Sequence, residues 1–454
     1  MQDYVLPTQL TDSLKDIPGF DKAAFENEHA SGKQVTSVRI NPSKVNTVPA
    51  SLMAAKAVPW TKFGYYLSER PSFTFDPIFH AGAYYVQEAS SMLLEQAFQQ
   101  LVNLVEPLKV LDLCAAPGGK TTHIQSLISH DSVLVTNEVI RNRVNILTEN
   151  ITKWGAANVI VTNNDPSDFT RLEALFDVVV VDAPCSGSGL FRKDPQAVEE
   201  WSLESVTHCS LRQQRILKDI WPVLKPGGIL IYATCSYSTA ENELIADWLT
   251  TTNDAVSLRL EGLSNWHVVE TLSPVHNNFG YRCYPYLLDG EGFYLTCFKK
   301  GGEPVFDIVK SVKYQADKKL VPHFDKWLKP NHELQFYQFK EQVFAMPKNT
   351  FDLFMLLQSK LNIRKAGVKI GDWARAELIP GHALALSNVY NPDLPALQLE
   401  KEAAINYLRR TDFNIDNVSK GWLIIMYEHF SLGWIKGLGN RLNNYYPKEW
   451  RIRN

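Results

Sequence analysis

Nowhere in the 454-residue chain do two cysteines stand in C-x-x-C spacing; the six present lie singly at 114, 185, 209, 235, 283 and 297. Such spacing argues against a structural zinc site, and no metal is expected. No apolar run approaches the ~20 residues of a membrane span. The opening MQDYVLPTQL has no basic region ahead of an apolar one, so neither secretion nor membrane insertion is expected. The chain is therefore placed in the cytoplasm, where its thiols stay reduced and reactive rather than forming a disulfide framework. Nor is there an excess of positive charge: 46 Lys and Arg against 49 Asp and Glu leave a net −3. A nucleic-acid partner would have to be held by local basic surfaces rather than by overall attraction. Internal repeats and low-complexity tracts are missing too, which excludes a solenoid.

What is present is ordinary for a globular protein of several domains: 45% hydrophobic and 21% charged residues. Residues 1–75 read as a small α/β domain, with a helix over Lys22–Ser31 and a strand over Thr36–Ile40. A helix is expected over Gln87–Val102, and after it strands and helices alternate as a doubly wound, mostly parallel sheet requires. Strands are expected at Lys109–Leu113, Val133–Thr136, Val159–Val161, Asp177–Val181, Ile229–Ala233 and Gly292–Phe298. Helices are expected from Gly118-Gly119 to Ser129, over Ile140–Trp154 and Glu200–Leu224, and from Ser238, where Ser238 and Glu241 have capping-box spacing. This domain spans 76–300. Residues 301–375 form a connecting domain of uncertain fold with a helix over Thr350–Leu361, and 376–454 a β-rich domain with strands at Ala383–Leu386 and Trp422–Met426.

Chemistry concentrates at the carboxyl ends of the strands, the edge where open α/β sheets bind ligands. Four consecutive valines, 178–181, describe a strand buried on both faces, and it ends in Asp182-Ala183-Pro184-Cys185 and a Ser-Gly-Ser-Gly loop. The first strand ends in Cys114-Ala115-Ala116-Pro117-Gly118-Gly119-Lys120, a glycine turn into a helix amino terminus that offers backbone N–H groups to a nucleotide-like ligand or a carboxylate. A phosphate-binding P-loop would need glycine where Cys114 stands, and adjacent Gly118 and Gly119 do not fit the dinucleotide fingerprint. Glu138 follows the second strand at the distance of a ribose-binding carboxylate, Asp165 follows the third and Cys235 the fifth. Asp165 before Pro166 also fits a turn former, and Glu138 a helix-start residue.

Three stretches, LDLCAAPGGKTTH (111–123), VVDAPCSGSGLFRKDP (180–195) and LIYATCSYSTAENE (230–243), closely resemble the NOL1/NOP2/Sun family of RNA cytosine-5 methyltransferases. FHAGAYYVQEASSML, RVNILTENITKWG and the carboxyl-terminal GNRLNNYYPKEWRIR are similar to its bacterial small-subunit (16S) rRNA branch. The resemblance implies a Rossmann-like class I methyltransferase domain using S-adenosylmethionine, and a PUA-like RNA-binding domain at the carboxyl end. It implies that 114–120 with Glu138, Asp165 and Asp182 bind the cofactor, and that Cys235 is the nucleophile.

Cytosine C5 is too weakly nucleophilic to take a methyl group unaided, but thiolate addition at C6 activates it. Asp182 is the expected partner for N3, and Cys185 is placed to assist loss of the C5 proton. The target base must lie in an accessible loop or be flipped out. Arg192 and Lys193 are candidates for flanking phosphates. So are Arg441 and Lys448 in a tail that interleaves Lys436, Arg451 and Arg453 with Asn440, Asn443, Tyr445 and Tyr446. The expected partner is 16S rRNA or the small ribosomal subunit, met by a monomer. Two rivals stand beside this reading: a catalytically idle ribosome-assembly factor and, more remotely, a P-loop ATPase.

Overall fold

The computed structural model describes residues 6–45, 55–303, 320–411, 418–439 and 441–453. Among them the strands form four sheets, and the largest, of ten strands, organises the rest. Its members in chain order are β1 (Lys109–Asp112), β2 (Val133–Asn137), β3 (Val159–Thr162), β4 (Phe176–Asp182), β5 (Leu224–Thr234), β6 (Ala255–Leu258), β7 (Val269–Leu272), β8 (Phe279–Cys283), β9 (Phe293–Lys300) and β10 (Ile363–Ala366). They lie in the order β7-β8-β9-β5-β4-β1-β2-β3-β10, with β6 paired beside β8 along β9. β1 to β5 are mutually parallel; β9 closes antiparallel on β5.

Helices α1 (Gly119–Leu127) and α2 (Arg141–Trp154) cover one face, and α3 (Leu203–Ile220) and α4 (Glu243–Thr252) the other. The four valines of β4 show why both faces need cover. Val178 and Val180 pack with Ile124, Val144, Leu147 and Ile151, whereas Val179 and Val181 pack with Ile216, Leu217, Ile220 and Ile245. A strand with period-2 side chains and helices on both sides must be apolar at every position. The helices change face between β1 and β4, so the crevice of the topological switch opens above the carboxyl ends of those two strands.

The amino-terminal sheet pairs Thr36–Ile40 with Gly64–Leu67 and Tyr84–Val86. Its Arg39 is fully buried against the central domain, donating to Thr122 Oγ1 at 2.5 Å and to the Gly119 carbonyl at 3.3 Å, with its guanidinium 4.5 Å over the Trp154 ring. The carboxyl-terminal sheet, Ala396–Leu399, Gly421–Tyr427, Phe430–Gly437 and Leu442–Asn444, shares a core with this amino-terminal sheet through Val38, Ile40, Leu408 and Leu432.

Several expected elements take another form. Gln87–Val102 is not one helix: the Glu88 carboxylate accepts from the backbone N–H groups of Ser90 and Ser91, both at 2.8 Å, so a 3-10 turn over Ser90–Leu93 precedes the α-helix Leu94–Leu101. The long helix over Glu200–Leu224 divides at Ser202, which starts α3 with a reciprocal capping box to Ser205, and ends at the Pro222 turn. Ala383–Leu386 is helical (His382–Leu386) rather than extended; a short, fully apolar run reads alike in both periods.

The connecting segment supplies β10 to the edge of the large sheet and a helix, Lys348–Leu357, whose Phe351, Leu353 and Leu357 extend the core of the α3/α4 face. Its own antiparallel sheet runs Leu334–Phe339, Gln342–Pro347, Val368–Ala374, Glu377–Pro380. The boundary expected at 375/376 therefore falls on the turn of a hairpin, where Arg375 and Ala376 both adopt positive φ.

Candidate active site

Cys185 and Cys235 leave the carboxyl ends of neighbouring parallel strands, β4 and β5, and their sulfur atoms lie 3.0 Å apart. Both are half-buried and neither is in a disulfide. The hydrogen bond to Cys235, followed by burial, holds the Cys185 thiol well above its ordinary pKa. The loop between them is compact because its glycines admit close backbone contact. A Cβ on Gly189 would stand 2.4 Å from the Cys235 carbonyl oxygen, to which the Gly189 N–H now donates at 2.6 Å.

Asp182, the last residue of β4, accepts from the Lys120 ammonium at 2.7 Å. Burial works to lower the Lys120 pKa, but Asp182 outweighs it, with Cys235 and Asp112 adding to the same side, and the ammonium is held more firmly than usual. Lys120 also lies 5.1 Å over the Phe293 ring. The sequence assigns Lys120 to the cofactor loop; the geometry places its charge on the catalytic candidates Asp182 and Cys235.

The glycine turn sits opposite. Gly118 caps α1 with φ +113°, a conformation costly for any residue bearing a Cβ. The carbonyls of the turn are engaged by α2, Arg143 donating to Ala116 at 2.6 Å and Asn150 to Pro117 at 2.8 Å. The first-turn N–H groups of a helix have no intrahelical acceptor and remain directed outward. Asp112, at the end of β1, is buried; its Oδ2 accepts from Thr121 at 2.6 Å while Oδ1 has no partner among the described residues. Burial, with Asp182 and Glu138 nearby, pushes its pKa up to about 7. Burial likewise raises the Cys114 thiol. Glu138 is buried at the end of β2, accepting from the Ile140 N–H at 2.8 Å, with Arg143 3.4 Å from its other oxygen.

Three sequence assignments need adjustment. Arg192 is not a surface cation: its guanidinium is buried, donating to Glu28 at 2.6 Å, Glu291 at 2.9 Å and the Gly290 carbonyl at 2.8 Å. It fastens the helix Lys22–Ala30 to the central domain, and its burial keeps it from the surface where an RNA phosphate would lie. Tyr446 is also internal, packed against Tyr407 and His382. Lys193, Arg441 and Lys448 are exposed. Asn440 lies outside the described residues. Asp165 caps the following 3-10 turn through Ser167 and pairs with Arg215 at 3.0 Å, the pairing holding its carboxyl below the ordinary range. The turn-forming role is thus present at that position. Glu241 was expected to complete a capping box with Ser238; it instead reaches both cysteine loops, a placement that only the fold makes visible.

Among the described residues no group of three His, Cys, Asp or Glu is placed to hold a metal, and no helix is long and apolar enough to cross a membrane. A Rossmann-like sheet with a glycine turn, an acidic strand end beside it and small domains at both ends defines an α/β methyltransferase carrying a PUA-like domain. Family models agree segment by segment: the amino-terminal domain of 16S rRNA methyltransferase RsmF over 6–89, 16S rRNA methyltransferase RsmB/F over 99–299, and the methyltransferase RsmF PUA domain over 394–452. The ribosomal RNA small subunit methyltransferase F of Shewanella woodyi is 30% identical over 438 residues, spanning 91% of this chain and 90% of that one. Its namesake in Aliivibrio salmonicida is 31% identical over 412 residues, 86% and 85%. The chain belongs to this small-subunit rRNA methyltransferase F family. Among solved structures, a methyltransferase homologue from Pyrococcus horikoshii matches with TM-score 0.51 and 28% identity over 65% of this chain and 100% of that one. NSun6 from the same organism shares the fold, with TM-score 0.54 at 18% identity over 66% of this chain and 100% of that one.

Proposed function

We propose that this protein methylates C5 of a cytosine in RNA, in the 16S rRNA or small subunit that its relatives' names specify, through a covalent adduct between Cys235 and C6. The observation that carries the reading is the contact of two thiols, 3.0 Å apart at adjacent strand ends, beside the Asp182–Lys120 pair. Residues 114–120 and Glu138, with Asp165 at the rim, would hold S-adenosylmethionine. The unpartnered Asp112 oxygen, the outward N–H groups of the α1 amino terminus and the buried Glu138 carboxylate suit its cationic, carboxylate and ribose parts. That cofactor supplies the methyl group to C5; the remaining work falls to side chains.

As the Cys235 sulfur adds to C6, its thiol proton passes through Asp182 to N3, and the C5=C6 electrons shift to make C5 nucleophilic. After methylation Cys185, its own thiol proton given up to solvent, takes the C5 proton, the C6–S bond breaks with its electrons returning to sulfur, the C5=C6 bond is restored, and the N3 proton returns through Asp182 to the Cys235 sulfur. Addition also prepares release. Once the Cys235 sulfur is bonded to carbon it no longer accepts from Cys185, which removes the leading reason that Cys185 retains its proton in the resting site. Lys193, Arg441 and Lys448 would meet backbone phosphates, in a monomer acting in the cytoplasm.

The direct test is transfer of labelled methyl from S-adenosylmethionine to deproteinised 16S rRNA and to small subunits, followed by nucleoside mass spectrometry. 5-Methylcytidine is expected. RNA binding without methylation on either substrate would favour an assembly factor instead.

Two further outcomes follow from this reading. Glu138→Ala is expected to weaken S-adenosylmethionine binding by about 1.5–3 kcal/mol, the range for hydrogen bonds to a charged group, measured by calorimetry. Arg441→Ala and Lys448→Ala are each expected to reduce the salt slope of RNA binding by about 1 while leaving cofactor affinity in place, measured by titration at several salt concentrations. An unchanged slope would assign those cations to something other than phosphate.

A further inference from the structure

We infer that Glu241 is a positioning residue for the thiol pair: its buried carboxylate ties the Cys185 loop to the Cys235 loop and sets the order in which the two thiols react. The inference rests on the thiol chemistry proposed above and extends it to a residue that touches neither base nor cofactor.

Glu241 is fully buried, and both of its oxygens accept from the two loops. From the residue after Cys185, the Ser186 N–H donates to Oε1 at 2.7 Å and the Ser186 hydroxyl to Oε2 at 2.5 Å. From the residue after Cys235, the Ser236 hydroxyl donates to Oε2 at 2.6 Å. Gln213 of α3 closes the set, donating to Oε1 at 3.3 Å and to the Pro184 carbonyl at 3.0 Å. The next residue continues the clamp: Asn242 accepts from Thr234 at 2.6 Å and donates to the Ser236 carbonyl at 2.7 Å. A buried carboxylate with four donors is not explained by helix capping, since Ser238 makes no side-chain cap. Three of the four donors come from Ser186 and Ser236, the residues that follow the two cysteines.

The charges around the pair are also divided. Lys120 interacts with Cys235 and Glu241 with Cys185, so charges of opposite sign stand beside the pair. Burial raises the Glu241 pKa, and the hydrogen bonds from Ser186, Ser236 and Gln213 work against that rise. The other titratable groups in its field are Cys209, flanked by Arg212, and the buried phenol of Tyr232, whose hydroxyl donates to the Glu241 carbonyl at 2.7 Å.

Limited alkylation with iodoacetamide across pH, read site by site by mass spectrometry on the full chain without RNA, tests this. In the wild type Cys235 is expected to label ahead of Cys185. Glu241→Gln, which keeps the shape and loses the charge, is expected to lower the Cys235:Cys185 labelling ratio by about tenfold and move Cys185 labelling to lower pH. Glu241→Asp keeps the charge but is too short to hold both loops, and should restore less than half of that ratio. Cys283 and Cys297, both buried, serve as internal reporters of unfolding and should stay unlabelled. If Gln at 241 exposes them, Ser236→Ala, which removes one donor and leaves the carboxylate, replaces it with a smaller change in the same direction. An unchanged ratio with intact reporters in either variant overturns the inference. A changed ratio in a protein whose wild type methylates no RNA upholds the clamp and overturns only the proposed reaction.

Discussion

Cys185→Ala, mixed with 16S rRNA and S-adenosylmethionine, is expected to accumulate a covalent protein–RNA complex, seen as a shifted band on a denaturing gel, while Cys235→Ala forms none. The two variants fail at different points of one cycle. Without Cys235 no sulfur adds to C6, so nothing can be trapped. Without Cys185 the addition and methyl transfer still occur, but loss of the C5 proton loses a base worth about 10²–10⁴-fold, and the enzyme stalls on its product. The double variant should again give no band. The geometry underlies this asymmetry: the sulfurs are in contact, and the Lys120 cation interacts with Cys235. A band from Cys235→Ala and none from Cys185→Ala would reverse the assignment.

Asp182→Asn should lower single-turnover methyl transfer by about 10²–10⁴-fold while S-adenosylmethionine affinity changes by less than about tenfold. The amide keeps the size of the side chain and can still hydrogen-bond N3, but it cannot pass a proton, and it removes the counter-charge that Lys120 approaches at 2.7 Å. Lys120→Met should show part of the same loss, because a carboxylate deprived of its ammonium no longer has the electrostatic setting that N3 chemistry uses. Calorimetry beside rapid-quench kinetics separates the two possibilities. Strongly reduced cofactor binding with an intact transfer rate would make Asp182 a cofactor ligand alone.

The parallel sheet was legible because its strands are short β-branched runs whose polar residues all fall at one end. Val178 to Val181 ending in Asp182, and Ile229 to Ala233 leading to Cys235, are enough to bring two distant thiols to one edge. The glycine turn at 118–119 was legible for the same reason, since its chemistry is local. Contacts made at a distance were not. Nothing near Arg192 in sequence shows that Glu28 and Glu291 converge on it, and so a basic pair in a loop read as a phosphate site. Glu241 stands three residues after a serine and read as half of a capping box, although its partners lie 55 and 5 residues away. The strand Ile363–Ala366 had no signal of its own either: it adds to β3 through backbone pairing, which leaves little mark on side-chain pattern. Ala383–Leu386 failed in another way, through a run too short and too uniformly apolar to show its period.

The measurement that bears most directly on the whole account is bisulfite sequencing of small-subunit rRNA from cells that carry the gene, lack it, or lack it and express either the wild type or Cys235→Ala. One or more protected cytosines should disappear with the gene, return with the wild type and stay absent with Cys235→Ala. Protection that persists without the gene, or returns with Cys235→Ala, would contradict a cytosine-5 methyltransferase working through that thiol.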